Sequence, residues 1–155
     1  MTLDEDQLLE EVRRIAKAYF KSIHTPKQQK EEQIIVSDFW RHGYNIHKIR
    51  DIIGSGQKLV DDEKVARLAL DWLPKIRETG NRFYMIEVVA YNTKLSQFKQ
   101  EALQLAFAQY RNTKPPDEVI REYAANIIMD LADDSVYDEV LSLTRNDANQ
   151  DLGES

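Results

Sequence analysis

The 155-residue sequence contains no cysteine and has only five glycines and four prolines. The absence of cysteine excludes disulfide bonds, a thiolate nucleophile and zinc sites built from cysteine ligands. A chain of this length can bury a hydrophobic core without such cross-links. The sequence therefore predicts one domain over residues 1–145, followed by a disordered tail over 146–155.

The sequence also lacks a long apolar run. A membrane-spanning helix needs about 20 consecutive, mostly apolar residues, and no segment approaches that length. The first residues, MTLDEDQLLEEVRR, are acidic and polar, whereas a secretory signal begins basic and continues apolar. We therefore expect a cytoplasmic protein that does not associate with membranes.

Negative charge is concentrated at one end of the chain. Residues 1–60 carry 10 basic and 9 acidic side chains and residues 61–116 carry 9 and 7, but residues 117–155 carry 2 and 11, a net charge of −9. Such a segment repels nucleic-acid phosphates and attracts basic surfaces. We expect no nucleic-acid partner, and a protein partner of basic character. The sequence does not indicate an oligomeric state.

Apolar residues recur at helical spacing along almost the whole chain, and no segment alternates strictly enough to predict a β-strand. The fold class is therefore predicted to be all-α, with about eight helices. The first helix is expected to follow a capping box formed by Thr2 and Glu5. Its buried face is predicted to comprise Leu8, Val12, Ile15, Tyr19 and Ile23.

The next two helices have recognisable boundaries. Thr25 is a good N-cap, and Pro26 suits the first helical position because its missing N–H would be unpaired there. This second helix is expected to end at Gly43 and to bury Ile35, Phe39 and Trp40. A short third helix is expected after Asn45 and should contain Ile46, Ile49 and Ile53.

The remaining helices follow the same rules. Asp61 or Asp62 should cap a fourth helix, which Pro74 bends or ends. Further helices are predicted over RFYMIEVVAY and LSQFKQEALQLAFAQY, and Pro116 should lie at the start of the next one. The acidic turn ADD supplies Asp133 or Asp134 as the cap of the last helix.

The second half of the chain repeats with a period of 39 residues. A shift of 39 aligns Tyr84 with Tyr123 and Val88 with Ile127, and it also aligns Phe98 with Tyr137. A period near 40 with two helices per unit is typical of stacked helix hairpins of the HEAT and armadillo kind. A hairpin of this kind buries its apolar face only by stacking on a neighbour.

Three segments carry a family resemblance. LALDWLPKI (68–76) and NIIMDLADDSVYDEVL (126–141) resemble the HEAT-like repeat proteins common in prokaryotes, in which a Trp-Leu-Pro helix end and an Ala-Asp-Asp-Ser-Val turn recur. DFWRHGYNIHKIRDI is similar to the segment that precedes the repeats in those proteins. The resemblance covers residues 37–145, and it implies a right-handed α-solenoid of antiparallel helix hairpins.

The chain departs from that family pattern in the helix after Trp-Leu-Pro. Phe83 and Glu87 occupy positions where the pattern favours an acidic residue and then an arginine. No inner-face binding site is therefore carried over from the family to this chain.

No motif predicts catalysis, a cofactor or a metal site. His42 and His47 are five residues apart, which is not the spacing of two ligands on one helical face. GSGQK lacks the spacing and the preceding strand of a phosphate-binding loop. The paired carboxylates lie at helix starts, where they cap the helix. We therefore expect no catalytic residues, no metal and no cofactor.

The leading functional hypothesis is a non-catalytic scaffold that presents its second-helix face to a protein partner. That face is predicted from the polar positions that remain once the apolar stripes are assigned to the core. Its residues are Arg82, Glu87, Tyr91, Arg121, Glu122, Asn126 and Asp130.

Two alternatives remain open. The first is an inhibitor or immunity-type protein that masks a basic enzyme with its acidic C-terminal hairpin. The second is a HEAT-like DNA glycosylase, which would need a basic concave face and aromatic side chains around the damaged base. The candidate aromatic residues are Trp40, Trp72, Phe83, Tyr84 and Tyr91.

Overall fold

In the computed structural model, the backbone is described for residues 4–153 and the side chains for residues 4–145. Within that part the chain forms eight α-helices and no β-strand, which confirms the all-α prediction. The helices are α1 (Glu5–Ile23), α2 (Pro26–Arg41), α3 (Asp51–Gly54), α4 (Glu63–Trp72), α5 (Thr79–Tyr91), α6 (Lys99–Asn112), α7 (Glu118–Leu131) and α8 (Tyr137–Gly153). Short 3₁₀ turns cover Leu59–Asp61, Leu73–Lys75, Leu95–Phe98 and Asp134–Val136.

Several helix ends lie where their capping residues predict. The Thr25 hydroxyl accepts a hydrogen bond from the Gln28 N–H at 3.1 Å, with Pro26 at the first helical position. Gly43 follows α2 with a φ of +93°, a conformation that favours glycine. Asp62 caps α4 by accepting from two backbone N–H groups. These caps involve only residues close in sequence.

The prediction for α1 is wrong in its cap and in most of its buried face. Asp4 caps the helix in a reciprocal pair with Gln7, so the helix does not start from Thr2, which lies outside the described residues. Leu8, Val12 and Ile15 are more than half exposed, and only Ile23 is buried. The apolar spacing is present, but only the C-terminal end of α1 reaches the rest of the domain.

Other boundaries and contacts also differ from the sequence prediction. Helix α3 begins at Asp51, whose carboxylate accepts the N–H groups of His47 and Lys48, so Asn45 is not its cap. Trp40 is half exposed rather than buried, and its indole N–H donates to the Ile46 carbonyl, 2.6 Å away. Helix α7 begins at Glu118, two residues beyond Pro116.

The helices from α4 onward pack in pairs. Helix α4 packs on α5 and α6 packs on α7, while α5 also contacts α7 and α4 also contacts α6. Helix α5 begins at Thr79 and α7 at Glu118, which is 39 residues later. The 3₁₀ turn Leu95–Phe98 is likewise repeated 39 residues later by Asp134–Val136.

Helix α5 lies at the centre of the packing. It contacts α1, α2, α3, α4 and α7, and eight of its residues are buried. A helix that is apolar on nearly all sides is expected to be enclosed by its neighbours. One continuous hydrophobic core runs from Ile35 in α2 through α5 to Leu143 in α8.

The start of α5 is held by α2. The Glu31 carboxylate accepts the N–H groups of Arg77 and Glu78 at 2.9 and 3.1 Å, so a residue from another helix supplies the cap that Glu78 does not. The fully buried Asn81 accepts from the Gln28 side chain at 2.7 Å and donates to the Gln28 carbonyl at 2.9 Å. These bonds fix the direction of α5 relative to α2.

The end of the chain continues α8. This helix includes residues 146–153, most of the segment for which the sequence predicts a disordered tail. Residues 154 and 155 and the side chains from 146 onward lie outside the described part. None of the helices in the described part has the length and apolar character needed to cross a bilayer.

Candidate functional site

A groove of about 330 Å³ runs between the C-terminal halves of α5 and α7. Two large side chains stand out at its surface: Met129 is 79% exposed and Tyr91 is 55% exposed. Aromatic residues and methionine are enriched in protein interfaces, and here one of each is exposed in the same groove. The groove is lined by Ala90, Tyr91, Tyr123, Asn126, Met129 and Asp130.

Tyr123 forms the floor of this groove and is held firmly. Its hydroxyl donates to the Glu87 carboxylate at 2.7 Å. Its ring meets the rings of Phe83 and Tyr91 edge to face, with centroids 6.1 and 6.4 Å apart. Burial, followed by the bond to Glu87, raises the pKa of Tyr123 well above its ordinary value, so the phenol stays a donor.

The structure brings together most of the seven residues predicted for the partner-binding face. Tyr91, Asn126 and Asp130 line the groove. Glu122 is exposed one turn before Asn126 on α7, a spacing that places the two side chains on the same face. Glu87 lies under the groove, where it orients Tyr123.

The two predicted arginines point toward α6 instead. The Arg82 guanidinium donates to the Gln109 side chain at 2.9 and 3.2 Å and to the Thr113 hydroxyl at 2.9 Å. Arg121 stacks over the Tyr110 ring, with its guanidinium carbon 4.3 Å from the ring centre. Both side chains tie adjacent helices together, and neither lines the groove.

The sequence prediction missed Tyr123 and Met129. Neither was among the polar positions chosen for the predicted face, because apolar and aromatic residues at helical spacing usually face a core. Met129 lies three residues after Asn126, so the helical period places it on the polar face of α7. That position was the one signal in the sequence that could have identified it.

Two acidic side chains of the C-terminal segment pair with basic side chains of α6. Lys99 pairs with Asp133 at 2.5 Å and Arg111 pairs with Glu139 at 2.9 Å, so α6 compensates acids at the start of α8. The bond from Lys99, helped by Ser135, lowers the pKa of Asp133 to about 2. Among the described residues that line the groove, Asp130 is the one acidic side chain, and none is basic.

A second, more polar cleft of about 500 Å³ lies near the end of α1. Its polar groups hold helices together. The His24 Nε2 and the Tyr84 hydroxyl are 2.8 Å apart, Glu32 accepts the Ile49 N–H at 3.1 Å, and Gln28 donates to Asn81. Because these contacts connect α1 and α2 to α5 and to the segment before α3, we assign this cleft a structural role.

The five aromatic residues that a DNA glycosylase would need around a damaged base do not lie together in one groove. Phe83 and Tyr84 are buried, and Trp40 and Tyr91 line different grooves. The Trp72 indole N–H donates to Asp38 at 2.8 Å. In the part of the chain that the structure describes, no three histidine, aspartate or glutamate side chains are placed to hold a metal ion.

Comparison with known proteins yields no match. No family model fits the chain, and no curated protein or solved structure is significantly similar to it. Function is therefore inferred from the geometry of the chain itself.

Proposed function

We propose that the chain is a cytoplasmic, non-catalytic helical-repeat module of the HEAT kind, and that the groove between α5 and α7 binds a basic segment of a protein partner. The observation that carries the proposal is the exposure of Tyr91 and Met129 in a groove whose lining charge is negative. This proposal assigns the binding role to five of the seven residues predicted from the sequence.

The repeat architecture is supported by two independent features. The starts of α5 and α7 are separated by the 39-residue period that the sequence contains. The contacts of α4 with α6 and of α5 with α7 are those expected when one hairpin stacks on the next. We propose that these hairpins form a short right-handed α-solenoid.

The chemistry of the groove favours a partner that combines an apolar anchor with positive charge. Burial of the Tyr91 ring and the Met129 side chain would supply most of the affinity, since truncation of such anchors commonly costs about 2 kcal/mol or more. Lysine or arginine of the partner can pair with Asp130 and Glu122, and a guanidinium can also stack on a tyrosine ring. These exposed charges mainly accelerate association at low salt.

The experiment places a photoreactive aromatic amino acid at Tyr91 and captures partners from the lysate of the source cell. A matched version carries the same group at Tyr137, which is equally exposed but lies outside the groove. We expect a specific cross-linked protein from position 91 and not from position 137. Equal cross-linking from both positions would contradict the proposed groove.

Charge reversal then tests the acidic residues. The double variant Glu122→Lys and Asp130→Lys should retain its helical circular dichroism and lose most of the capture, because both side chains are exposed. The control Asp134→Lys and Asp138→Lys carries the same net charge and alters exposed acids outside the groove. If the Glu122→Lys and Asp130→Lys variant captures the partner as well as the wild type does, the proposed binding face is wrong.

The two alternative functions predict different results. A DNA glycosylase would shift duplex DNA, with an affinity that falls steeply as salt rises. We expect no shift of duplex DNA, with or without an alkylated base, and a salt-sensitive shift abolished by Arg82→Glu and Lys94→Glu would favour that enzyme. An inhibitor would capture a basic enzyme and block its activity when the two are mixed.

A further inference from the structure

The cleft near the end of α1 has, besides its structural role, polar atoms that the contacts between helices do not use. Its volume of about 500 Å³ lies within the range of small-molecule sites. The acidic residue Glu32 of α2 lines it, and so do the basic residues Lys48 and Arg50 of the segment before α3. Side chains of both signs therefore border the same space.

Glu32 is a buried carboxylate with an incomplete set of partners. The residue is 8% exposed, and one of its carboxylate oxygens accepts the Ile49 N–H at 3.1 Å. Among the described residues, no basic side chain forms an ion pair with Glu32, and its other oxygen accepts no hydrogen bond. Buried carboxylates are normally paired, because burial without a partner is costly. The second oxygen of Glu32 therefore lacks a cationic donor.

Gln28 supplies a second acceptor on the same face of α2. It also lines the cleft, and it lies four residues before Glu32, so the two side chains are neighbours along the helix. Its amide nitrogen donates to Asn81 at 2.7 Å, but its amide oxygen is buried and has no hydrogen-bond partner in the described part of the chain. A buried acceptor without a donor is unfavourable. Two acceptors one helical turn apart thus both lack a donor.

Tyr84 orients the basic side of the cleft. Nδ1 of His24 lies 2.6 Å from the Phe20 carbonyl, which only accepts, so Nδ1 carries a proton. In the neutral ring Nε2 is then the acceptor, and the Tyr84 hydroxyl, 2.8 Å away, donates to it. The oxygen of that hydroxyl is left to face the neighbouring Arg50 guanidinium. Lys48 and Arg50 are both exposed, and among the described residues neither forms an ion pair.

We propose that this cleft binds a small zwitterion of the α-amino-acid class. The ammonium of the ligand donates to the second oxygen of Glu32, with the Gln28 amide oxygen as a further acceptor. The carboxylate of the ligand pairs with Arg50 and Lys48. A ligand of one sign would pair with one side of the cleft and meet like charge on the other. The site is separate from the α5–α7 groove and does not depend on the function proposed for that groove.

Thermal unfolding of the full chain with each standard L-amino acid, added singly, is the first test. At about 10 mM, at least one of them should raise the Tm by about 2 °C or more, as expected for a ligand with a Kd on the order of 1 mM. Calorimetric titration then compares that amino acid with its N-acetyl derivative, which lacks the ammonium, and with its carboxamide, which lacks the carboxylate. Each derivative should bind about tenfold more weakly or worse. No stabilisation by any amino acid, or equal binding of either derivative, would overturn the proposal.

Variants of the basic residues test which side chains hold the ligand. Lys48→Gln and Arg50→Gln change exposed positions, so each should keep the helical circular dichroism and weaken binding about tenfold. Lys30→Gln makes the same change at an exposed position of α2 that does not line the cleft, and it should bind as the wild type does. Wild-type affinity in both cleft variants would contradict the assignment.

Glu32→Gln separates a binding role from a structural one. Glutamine keeps a carbonyl oxygen for the Ile49 N–H and removes the unpaired carboxylate, so the variant without ligand should melt at or above the wild-type Tm. Its affinity for the amino acid should fall about tenfold or more, because the ammonium loses its anionic partner. A lower Tm together with wild-type affinity would show that Glu32 is only structural and that the proposal is wrong.

Discussion

The Tyr123 hydroxyl donates a 2.7 Å hydrogen bond to the Glu87 carboxylate and thereby joins α7 to α5. Tyr84, which precedes Tyr123 by the 39-residue period, also bonds outside its own helix, since its hydroxyl lies 2.8 Å from Nε2 of His24 at the end of α1. In both cases a tyrosine hydroxyl bonds to a polar group of an earlier part of the chain. The bond to Glu87 holds Tyr123 as the floor of the groove.

Loss of the Tyr123–Glu87 bond should reduce stability. Tyr123→Phe is expected to lower the free energy of unfolding by about 1–2 kcal/mol, because the bond is made to a charged acceptor and is partly buried. Urea denaturation of this variant, of Glu87→Gln and of the double variant gives the coupling between the two side chains. Tyr137→Phe, at an exposed position, is the control and should be neutral. Additive single effects would show that the two groups do not interact.

Gly80 should not tolerate a side chain. A Cβ at this position would lie 2.4 Å from the Ile23 carbonyl oxygen, which is backbone and cannot move aside without displacing the end of α1. We expect Gly80→Ala to lower the free energy of unfolding by about 1–3 kcal/mol, as overpacking does. Gly54→Ala meets no atom within 4 Å and should be neutral or slightly stabilising. Equal melting temperatures for the two variants would contradict the close approach.

Glu31 should contribute to stability as the cap of α5. Glu31→Ala removes the acceptor of two backbone N–H groups, so we expect a loss of about 1–2 kcal/mol in the free energy of unfolding. Glu31→Gln keeps one carbonyl acceptor and should lose less. Lys30→Ala, next to it on the exposed side of α2, should change stability by about 0.5 kcal/mol or less. Chemical denaturation ranks the three variants by stability. A Glu31→Ala variant as stable as the wild type would show that Glu31 does not stabilise the start of α5.

Stability at high pH should depend on Tyr44. Its hydroxyl donates to Asp62, the cap of α4, at 3.0 Å. Burial, and then the bond to Asp62, raises the pKa of Tyr44 from 10.0 to about 12. The folded state therefore favours the protonated phenol, so the contribution of Tyr44 is complete below about pH 10 and is lost as the pH rises through about 12.

The measurement for Tyr44 compares the wild type with Tyr44→Phe in urea at several pH values. The wild type should be the more stable protein at pH 8, and its advantage should shrink between about pH 10 and 12 because phenylalanine does not ionise. The other tyrosines are common to both proteins and cancel in the difference. An advantage that stays constant over this range would contradict the raised pKa.

The sequence by itself determined the features that depend on neighbouring residues. Thr25 with Pro26, Gly43 and Asp62 mark helix boundaries correctly, because a cap bonds to backbone groups only a few residues away and left-handed φ is a property of glycine itself. The 39-residue period likewise survives as the spacing of α5 and α7. Polar positions on α5 and α7 also indicated Tyr91, Asn126 and Asp130, three of the six residues that line the groove.

The tertiary structure alone decided which apolar faces are covered and which polar groups meet. Helical spacing assigned Val12 to the core, but burial requires a partner surface, and the rest of the domain covers only the end of α1 that carries Ile23. Glu31 accepts hydrogen bonds at the start of α5 from residues 46 and 47 positions later in the chain. Arg82 donates to Gln109, which is 27 positions later. No local pattern encodes such pairs, because their distance is set by how the helices pack.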